Sequence, residues 1–280
     1  MDLLHRKSTE LSVLSQSLWS QKYYDVLFAE LPFNAIISKD YEGEISGHLG
    51  DSVRISTFPE FDSANLLGED ERNDASAITV TQQTLSINYR VAKDFIITNL
   101  AMLQSLPAMD KLRDLAIYSI NKKIQALIIS LIVPSSSAPD HAIAFDSGTT
   151  LALADILEAK ELLDAQDVPF ANRHIVMGAA QLNDLFVISG FTSSDFVAGN
   201  TPLMNGNLPA QICGFTPQFT SELGNVTYLL HSSFMTMAAQ QGMNVKEYDR
   251  GVEGSRDYRI NCDTVLGIKQ LDNLRVVQLG

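Results

Sequence analysis

The sequence has few of the features that mark secreted, membrane-spanning or nucleic-acid-binding proteins. Its two cysteines, Cys213 and Cys262, are too few for a disulfide framework and predict two buried, free thiols in a reducing compartment. The most apolar run, residues 124–133, is about half of the ~20 residues that a membrane-spanning helix needs. Residues 1–8 carry basic side chains without an apolar stretch after them, so we expect no signal peptide. The net charge of -13 disfavours tight binding to phosphate backbones or anionic membranes.

Common catalytic and cofactor-binding motifs are also missing. The chain has no G-x-S-x-G elbow, no Walker loop and no G-x-G-x-x-G fingerprint. Its five histidines are scattered without the spacing of metal ligands, so we predict no metal and no cofactor. His174, beside Arg173 at the start of a predicted strand, is interpreted as a structural residue. A Ser-His-Asp triad built from distant segments stays open, because sequence spacing cannot exclude one.

Residues 145–150, FDSGTT, resemble one catalytic loop of an aspartic protease. Such an enzyme needs two aspartates that share one proton, each from its own loop, and this chain contains one such loop. The segment also leads within a few residues into a predicted helix. We therefore interpret it as a turn followed by a helix start, and a hydrolase that acts through Asp146 stays as a remote alternative.

Apolar residues make up 45% of the chain, which is enough for a folded core. Helical periodicity predicts helices over residues 8–30, 109–132, 153–166 and 180–185. The longest of them carries an apolar stripe on one face, formed by Leu112, Ile117, Ile120, Ile124, Leu127, Ile128 and Leu131. Ile175–Met177 reads as a short buried strand, and residues 246–280 alternate as charged strands.

Two segments alternate apolar and polar residues and predict a β-ribbon. One contains Val53 and Ile55, and the other runs from Leu85 to Val91, with a charged tip at residues 67–74 between them. An isolated two-stranded ribbon is marginally stable in water, so it needs a surface from its own domain or from another subunit. The candidates for contacts with another subunit are Glu69, Asp70, Glu71, Arg72, Asp74, Arg54 and Arg90. Cation binding by the acidic tip and a merely solvated tip are the alternatives.

The region between Arg173 and Lys246 contains no lysine or arginine. Depletion of charge is typical of the buried centre of a subunit interface. An ordinary domain core with polar loops explains the same composition, and both interpretations stay open.

The order of several segments resembles the major capsid protein of tailed bacteriophages, which has the HK-ninety-seven-like fold. The segments are SLWS at 17–20, DYEGEI at 40–45, GDSVRI at 50–55, EAKELLD at 158–164, RHIVM at 173–177 and NGNLPAQICGF at 205–215. The resemblance implies an α+β fold in four regions. These are an N-terminal arm (1–46), an extended loop lying over a neighbouring subunit (47–95), a peripheral domain with a long spine helix (96–172 and 246–280) and an axial domain (173–245).

The resemblance implies a structural protein and not an enzyme. Its copies would self-assemble into pentamers and hexamers of an icosahedral shell that encloses viral double-stranded DNA without sequence-specific binding. The expected partners are further copies, a portal protein and, because a long N-terminal extension is missing, a separate scaffolding protein; a decoration protein stays open. The expected location is the virion capsid, assembled in the host cytoplasm, with no membrane involved.

Two further points follow from the resemblance. One branch of the family cross-links its subunits through a lysine on the extended loop. No lysine occurs between Lys39 and Lys93, so we do not expect that cross-link. The alternatives to a phage shell are an encapsulin-type compartment that encloses a cargo protein and a soluble binding module.

Overall fold

The computed structural model describes residues 30–45, 52–59, 72, 77–98, 106–146, 148–188, 211–249 and 257–280. The helix predicted for residues 8–30 and most of the charged tip lie outside this described part. The helices are α1 (Phe33–Ile36), α2 (Glu42–Ile45), α3 (Leu106–Leu131), α4 (Leu153–Ala165) and α5 (Ala179–Val187). The strands are β1 (Ser52–Thr57), β2 (Thr81–Ser86), β3 (Tyr89–Thr98), β4 (Ala142–Ile143), β5 (Arg173–Met177), β6 (Thr216–Phe219), β7 (Thr227–His231), β8 (Met235–Asp249), β9 (Asp257–Gln270) and β10 (Val276–Leu279).

The strands form three sheets. The first is the antiparallel ribbon β1–β2, and the second has the order β3-β9-β8 with both pairings antiparallel. The third has the order β4-β10-β7-β5-β6 and is mixed, because β10 runs parallel to β4 and β5 runs parallel to β6. The chain is therefore an α+β protein, as predicted.

The apolar stripe predicted a helix over residues 109–132, and α3 lies there but starts three residues earlier. It begins at Leu106 instead of residue 109, so Pro107 falls in the first turn, where its missing N–H has no intrahelical partner to lose. Ala116, Ile120, Ile124 and Ile128 are buried at four-residue steps. Leu112, which the predicted stripe included, is 37% exposed, so the packed stripe begins one turn later. None of the described helices is long and apolar enough to cross a bilayer.

Two large apolar cores lie on the two faces of the five-stranded sheet. Val176 of β5 and Leu230 of β7 contribute to the core that also holds α3 and the three-stranded sheet. Their neighbours Ile175 and Leu229 point to the opposite face and join the core with α4 and α5. Strands that are buried on both faces read as continuous apolar runs, which is why the strand around Val176 could be predicted.

The packed elements cross the predicted region boundaries. Strand β10 pairs with β7, and α4 packs against β10. The boundary at 172/173 therefore runs between elements that share one core, and β8 spans the boundary at 245/246 without a break. The division into four regions stays a prediction.

Candidate subunit interfaces

The root of the β-ribbon packs against its own subunit. In the ribbon, Val53 lies opposite Leu85 and Ile55 lies opposite Gln83. Leu85 is fully buried and Ile55 is 8% exposed, in a small core that also contains Ile45 and Ala238. The predicted ribbon is present, and its own chain supplies a surface for this root.

A hydrogen bond adds to this apolar contact. The Gln83 Nε2 donates to the Leu271 carbonyl oxygen at 2.9 Å. Leu271 also packs against the small core, so the root is held by both a polar and an apolar contact.

The ribbon differs from the prediction at its second strand. The alternation from Leu85 to Val91 predicts one strand, but the structure breaks it at Ile87 and Asn88. Residues before the break pair with β1, and Tyr89 starts a strand that pairs with β9. The apolar and polar residues alternate without interruption through the break, because β2 and β3 both turn their odd-numbered residues, such as Leu85 and Val91, towards the interior.

Apolar side chains are exposed at the end of the described ribbon that is remote from its connection to β3. Phe58 is 71% exposed, Ile78 is 54% exposed and Val80 is 43% exposed. Phe58 and Val80 directly follow and precede the last paired residues of the ribbon, Thr57 and Thr81. Large apolar side chains grouped in this way are typical of a surface that another molecule covers.

The structure places the predicted charged candidates in different environments. Arg54 is exposed on the outer face of the ribbon, and its guanidinium has no ion-pair partner among the described residues. Arg72 is exposed, whereas Glu69, Asp70, Glu71 and Asp74 lie outside the described residues. The interface role of all these residues stays a prediction.

Arg90 is paired within its own chain. It lies on β3, and its Nη2 and Nε donate to Asp263 Oδ2 of β9 at 2.7 and 3.1 Å. The Asp263 side chain is 8% exposed and the Arg90 side chain is 66% exposed. The guanidinium therefore neutralises a buried carboxylate of its own sheet, while its outer surface remains accessible.

A second charged group lies on the same pair of strands. Arg259 donates to Asp94 Oδ2 through Nε at 3.1 Å and through Nη2, and Asn261 Nδ2 donates to Asp94 Oδ1. The bonds from Arg259 and then from Asn261 lower the pKa of Asp94 below its ordinary value. Together with Arg90, this group gives the outer face of the three-stranded sheet a fixed pattern of charge.

Arg173, which the sequence did not single out, is almost completely enclosed. It is 2% exposed, and Nη1 donates to Asp164 Oδ1 at 2.6 Å. Nε and Nη2 donate to the carbonyl oxygens of Pro169 and Val168 at 3.0 and 2.5 Å. The guanidinium carbon lies 4.6 Å from the ring centroid of Phe170, which is 73% exposed. One buried cation thus closes the loop between α4 and β5 and presents an exposed aromatic ring.

The FDSGTT segment is a turn at the start of α4, as predicted. Gly148 N donates to the Phe145 carbonyl oxygen at 2.9 Å, and the φ of +82° at Gly148 is one that glycine adopts readily. Asp146 is exposed, and its backbone N–H is bound by Asp155 Oδ1 at 3.1 Å. Asp155 Oδ2 accepts from Ala152 N at 2.7 Å, so both of its oxygens are engaged by backbone N–H groups. Asp155 is therefore a buried cap of this turn and not a proton-sharing partner of Asp146.

Two of the described histidines, His174 and His231, lie on the paired strands β5 and β7. Burial lowers the pKa of His174 on β5. His231 Nδ1 accepts from Ser233 N at 3.2 Å; burial, followed by Arg275 and Arg173, lowers its pKa. Among the described residues, no group of three His, Cys, Asp or Glu side chains could hold a metal ion.

Both cysteines are free, as predicted, but they differ in burial. Cys262 is fully buried on β9. Cys213 is half-buried, because it occupies a turn with a φ of +51° between Ile212 and Phe215. The expectation of two buried thiols is therefore met by Cys262 alone.

Comparisons with family models and with solved structures both point to proteins of bacteriophages. The model of the family described as phage capsid protein matches residues 108–247. The fold is similar to a solved structure from Mycobacterium phage Che8, with a TM-score of 0.75, 21% identity, and 95% of this chain and 97% of that chain covered. No curated protein sequence matches the chain.

Two cyanophage capsids also share the fold. The capsid structure of cyanophage P-SCSP1u has a TM-score of 0.76 at 9% identity, with 96% of this chain and 93% of that chain covered. The cyanophage Pam1 capsid asymmetric unit has a TM-score of 0.73 at 12% identity, with 96% of each chain covered. Each of these structural comparisons covers nearly the whole of both chains, so the similarity extends over the complete fold.

Proposed function

The chain belongs to the phage capsid protein family, and we propose that its copies assemble into pentamers and hexamers of an icosahedral shell that encloses viral double-stranded DNA. The family and the fold are structural ones, so the chain acts as a shell protein through contacts between copies. The observation that carries the finer proposal is the exposure of three large apolar side chains at or near the Thr57/Thr81 end of the ribbon, Phe58, Ile78 and Val80.

This apolar group supports a contact with a second copy for an energetic reason. Burial of one such side chain contributes about 1.5–3 kcal/mol. The root of the ribbon cannot bury these side chains, because it is already packed on its own body through Leu85 and Ile55. A neighbouring copy in a closed shell would cover them once per subunit, so one modest contact is repeated around the whole particle.

Charged residues define the proposed edges of this contact. Arg54 is exposed on the outer face of the ribbon, and Arg72 is exposed further along the same excursion. We propose that these two arginines, with Glu69, Asp70, Glu71 and Asp74, pair with residues of the neighbouring copy. Such rim charges affect the orientation and rate of association more than its strength.

The other partners follow from the shell proposal. They are a scaffolding protein and a portal protein, and a decoration protein stays open. The chain would be located in the virion capsid after assembly in the host cytoplasm. The net charge of -13 supports a wall that encloses DNA without binding it tightly.

Electron microscopy of purified protein, combined with a concentration series, tests the ribbon contact. We expect the wild-type protein to form closed particles and Phe58→Ser to raise the protein concentration needed for assembly by about tenfold, because 1.4 kcal/mol corresponds to a factor of ten. Phe58→Leu is the matched control, since it keeps an apolar side chain and should assemble close to the wild-type concentration. An unchanged threshold for Phe58→Ser would refute the ribbon contact.

Particle contents separate the shell alternatives. Particles from infected cells that contain DNA and a portal support the phage shell. Small particles that enclose a cargo protein would indicate an encapsulin-type compartment instead, and a wild-type protein that stays monomeric at high concentration would exclude both.

A further inference from the structure

The ribbon is joined to the rest of the subunit by a very short connection. Strand β2 ends at Ser86 and pairs within the ribbon, and β3 begins at Tyr89 and pairs with β9. Only Ile87 and Asn88 lie between the two sheets. The direction in which the ribbon leaves the subunit therefore depends on the backbone of these few residues.

Gly267 lies directly against this connection. It is a buried residue of β9, the central strand of the three-stranded sheet. A Cβ atom added to Gly267 would lie 2.6 Å from the Ser86 carbonyl oxygen, 3.2 Å from the Ser86 carbonyl carbon and 3.3 Å from the Ile87 Cα. All three atoms belong to the backbone, so a side chain could be accommodated only if the connection itself moved.

Backbone conformation does not explain the glycine. The φ of Gly267 lies outside the left-handed range that favours glycine, so the strand geometry accepts other residues. Its neighbour Leu266 pairs with Tyr89, the first residue of β3, so the chain leaves the ladder beside Gly267. The missing side chain is what lets the connection lie flat on β9 at the point where the ribbon turns away.

We propose that Gly267 sets the direction of the ribbon relative to the body and thereby the curvature at which neighbouring copies meet. The inference rests on the proposed shell function. The ribbon is held at its connection by the close approach at Gly267, and at its root by Leu85 in the small core and by the Gln83 bond to Leu271. A methyl group at Gly267 would have to shift the connection while the root contacts stayed in place, and this would rotate the ribbon and its exposed apolar end.

The test compares Gly267→Ala with Gly242→Ala. Gly242 lies on the neighbouring strand β8, and a Cβ there would meet nothing within 4 Å, so it controls for the loss of a glycine from this sheet. Particle diameters and closure are measured by electron microscopy, and subunit stability is measured by urea unfolding. We expect Gly242→Ala to give wild-type particles and Gly267→Ala to lose the uniform wild-type diameter, with open or irregular shells. Wild-type diameters for Gly267→Ala would overturn the inference.

A second variant covers the case in which Gly267→Ala does not fold. Asn88→Gly adds freedom to the connection without adding an atom, and Asn88 is exposed. If the fixed direction of the connection determines curvature, the particle diameters of Asn88→Gly become broader, whereas a distribution as narrow as that of the wild type would contradict the inference. Absence of particles from the wild-type protein would instead overturn the proposed function and the inference with it.

Discussion

Replacement of Arg173 should cost the subunit a large part of its stability. The guanidinium makes an ion pair with Asp164 and supplies hydrogen bonds to the carbonyl oxygens of Pro169 and Val168. In Arg173→Met all three acceptors lose their donor, while the methionine fills much of the same volume. The loss of stability therefore comes from the missing ion pair and hydrogen bonds and not from a cavity.

The structure sets the size of the loss. Breaking a buried ion pair costs about 3–5 kcal/mol, and a carbonyl left without a donor costs about 1–3 kcal/mol. The Asp164 side chain is 35% exposed, so water partly replaces its lost partner and the lower part of the range applies. We expect Arg173→Met to lower the free energy of unfolding by about 3–4 kcal/mol. Arg173→Lys should lose about half as much, because an ammonium group keeps the charge without the planar set of donors.

Urea unfolding of dissociated subunits at low protein concentration measures this loss apart from assembly. Arg275→Met is the control, because Arg275 pairs with Asp272 three residues away and donates to Ser233 Oγ, but the two charged side chains are 39% and 33% exposed. An exposed pair of this kind contributes about 0–1 kcal/mol. Equal losses for Arg173→Met and Arg275→Met would refute the argument that burial makes the Arg173 contacts strong.

Two other predictions concern the turn before α4 and the histidines of β5 and β7. Asp155→Ala leaves two backbone N–H groups without acceptors and should lower the free energy of unfolding by about 2–4 kcal/mol, whereas Asp146→Ala, at the exposed position of the turn, should change it by about 0.5 kcal/mol or less in the same urea assay. Burial lowers the pKa of His174 and His231 in the folded state, so these histidines take up protons at a higher pH in the unfolded chain than in the folded one. Their contribution to the free energy of unfolding should therefore be complete above the ordinary histidine pKa of 6.5 and should decrease as the pH falls below it. The double variant His174→Gln, His231→Gln should flatten this decline between pH 7 and pH 5, and an equally steep decline would assign it to other groups.

The elements that could be predicted from the sequence are those whose pattern reflects their packing. The stripe through Ile120 and Ile128 predicted α3, and the run around Val176 predicted β5, because burial on one face or on two faces leaves a readable pattern. The chain has no catalytic motif that would indicate a fold, so the fold class was predicted from the order of segments along the chain. The ribbon followed from alternation, including the residues at its root that face the body.

Pairwise contacts between distant segments could not be predicted. Nothing near Gly267 in the sequence indicates that the Ser86 backbone crosses it, because the two residues lie on different sheets. The pairing of Arg90 with Asp263 of β9, 173 residues later in the chain, could not be predicted, and the role of Arg90 at a subunit contact stays a prediction. Arg173 could have been found, since it is a lone arginine at the first position of a buried strand and borders the charge-poor region.

The ribbon combines a fixed root with an exposed end, and this combination decides how copies can associate. A ribbon without an anchored root would lose conformational entropy on every contact, which would weaken association. A ribbon whose apolar residues were all covered by its own body would have no apolar surface left to bury against a second copy. Here Leu85 is fully buried at the root and Phe58, beside the last paired residue Thr57, is 71% exposed, so the paired strands are ordered by folding and Phe58 is left for the proposed contact with a second copy. In the proposed shell, association would therefore gain apolar contact without the entropic cost of fixing these paired strands, at an angle that the subunit itself defines.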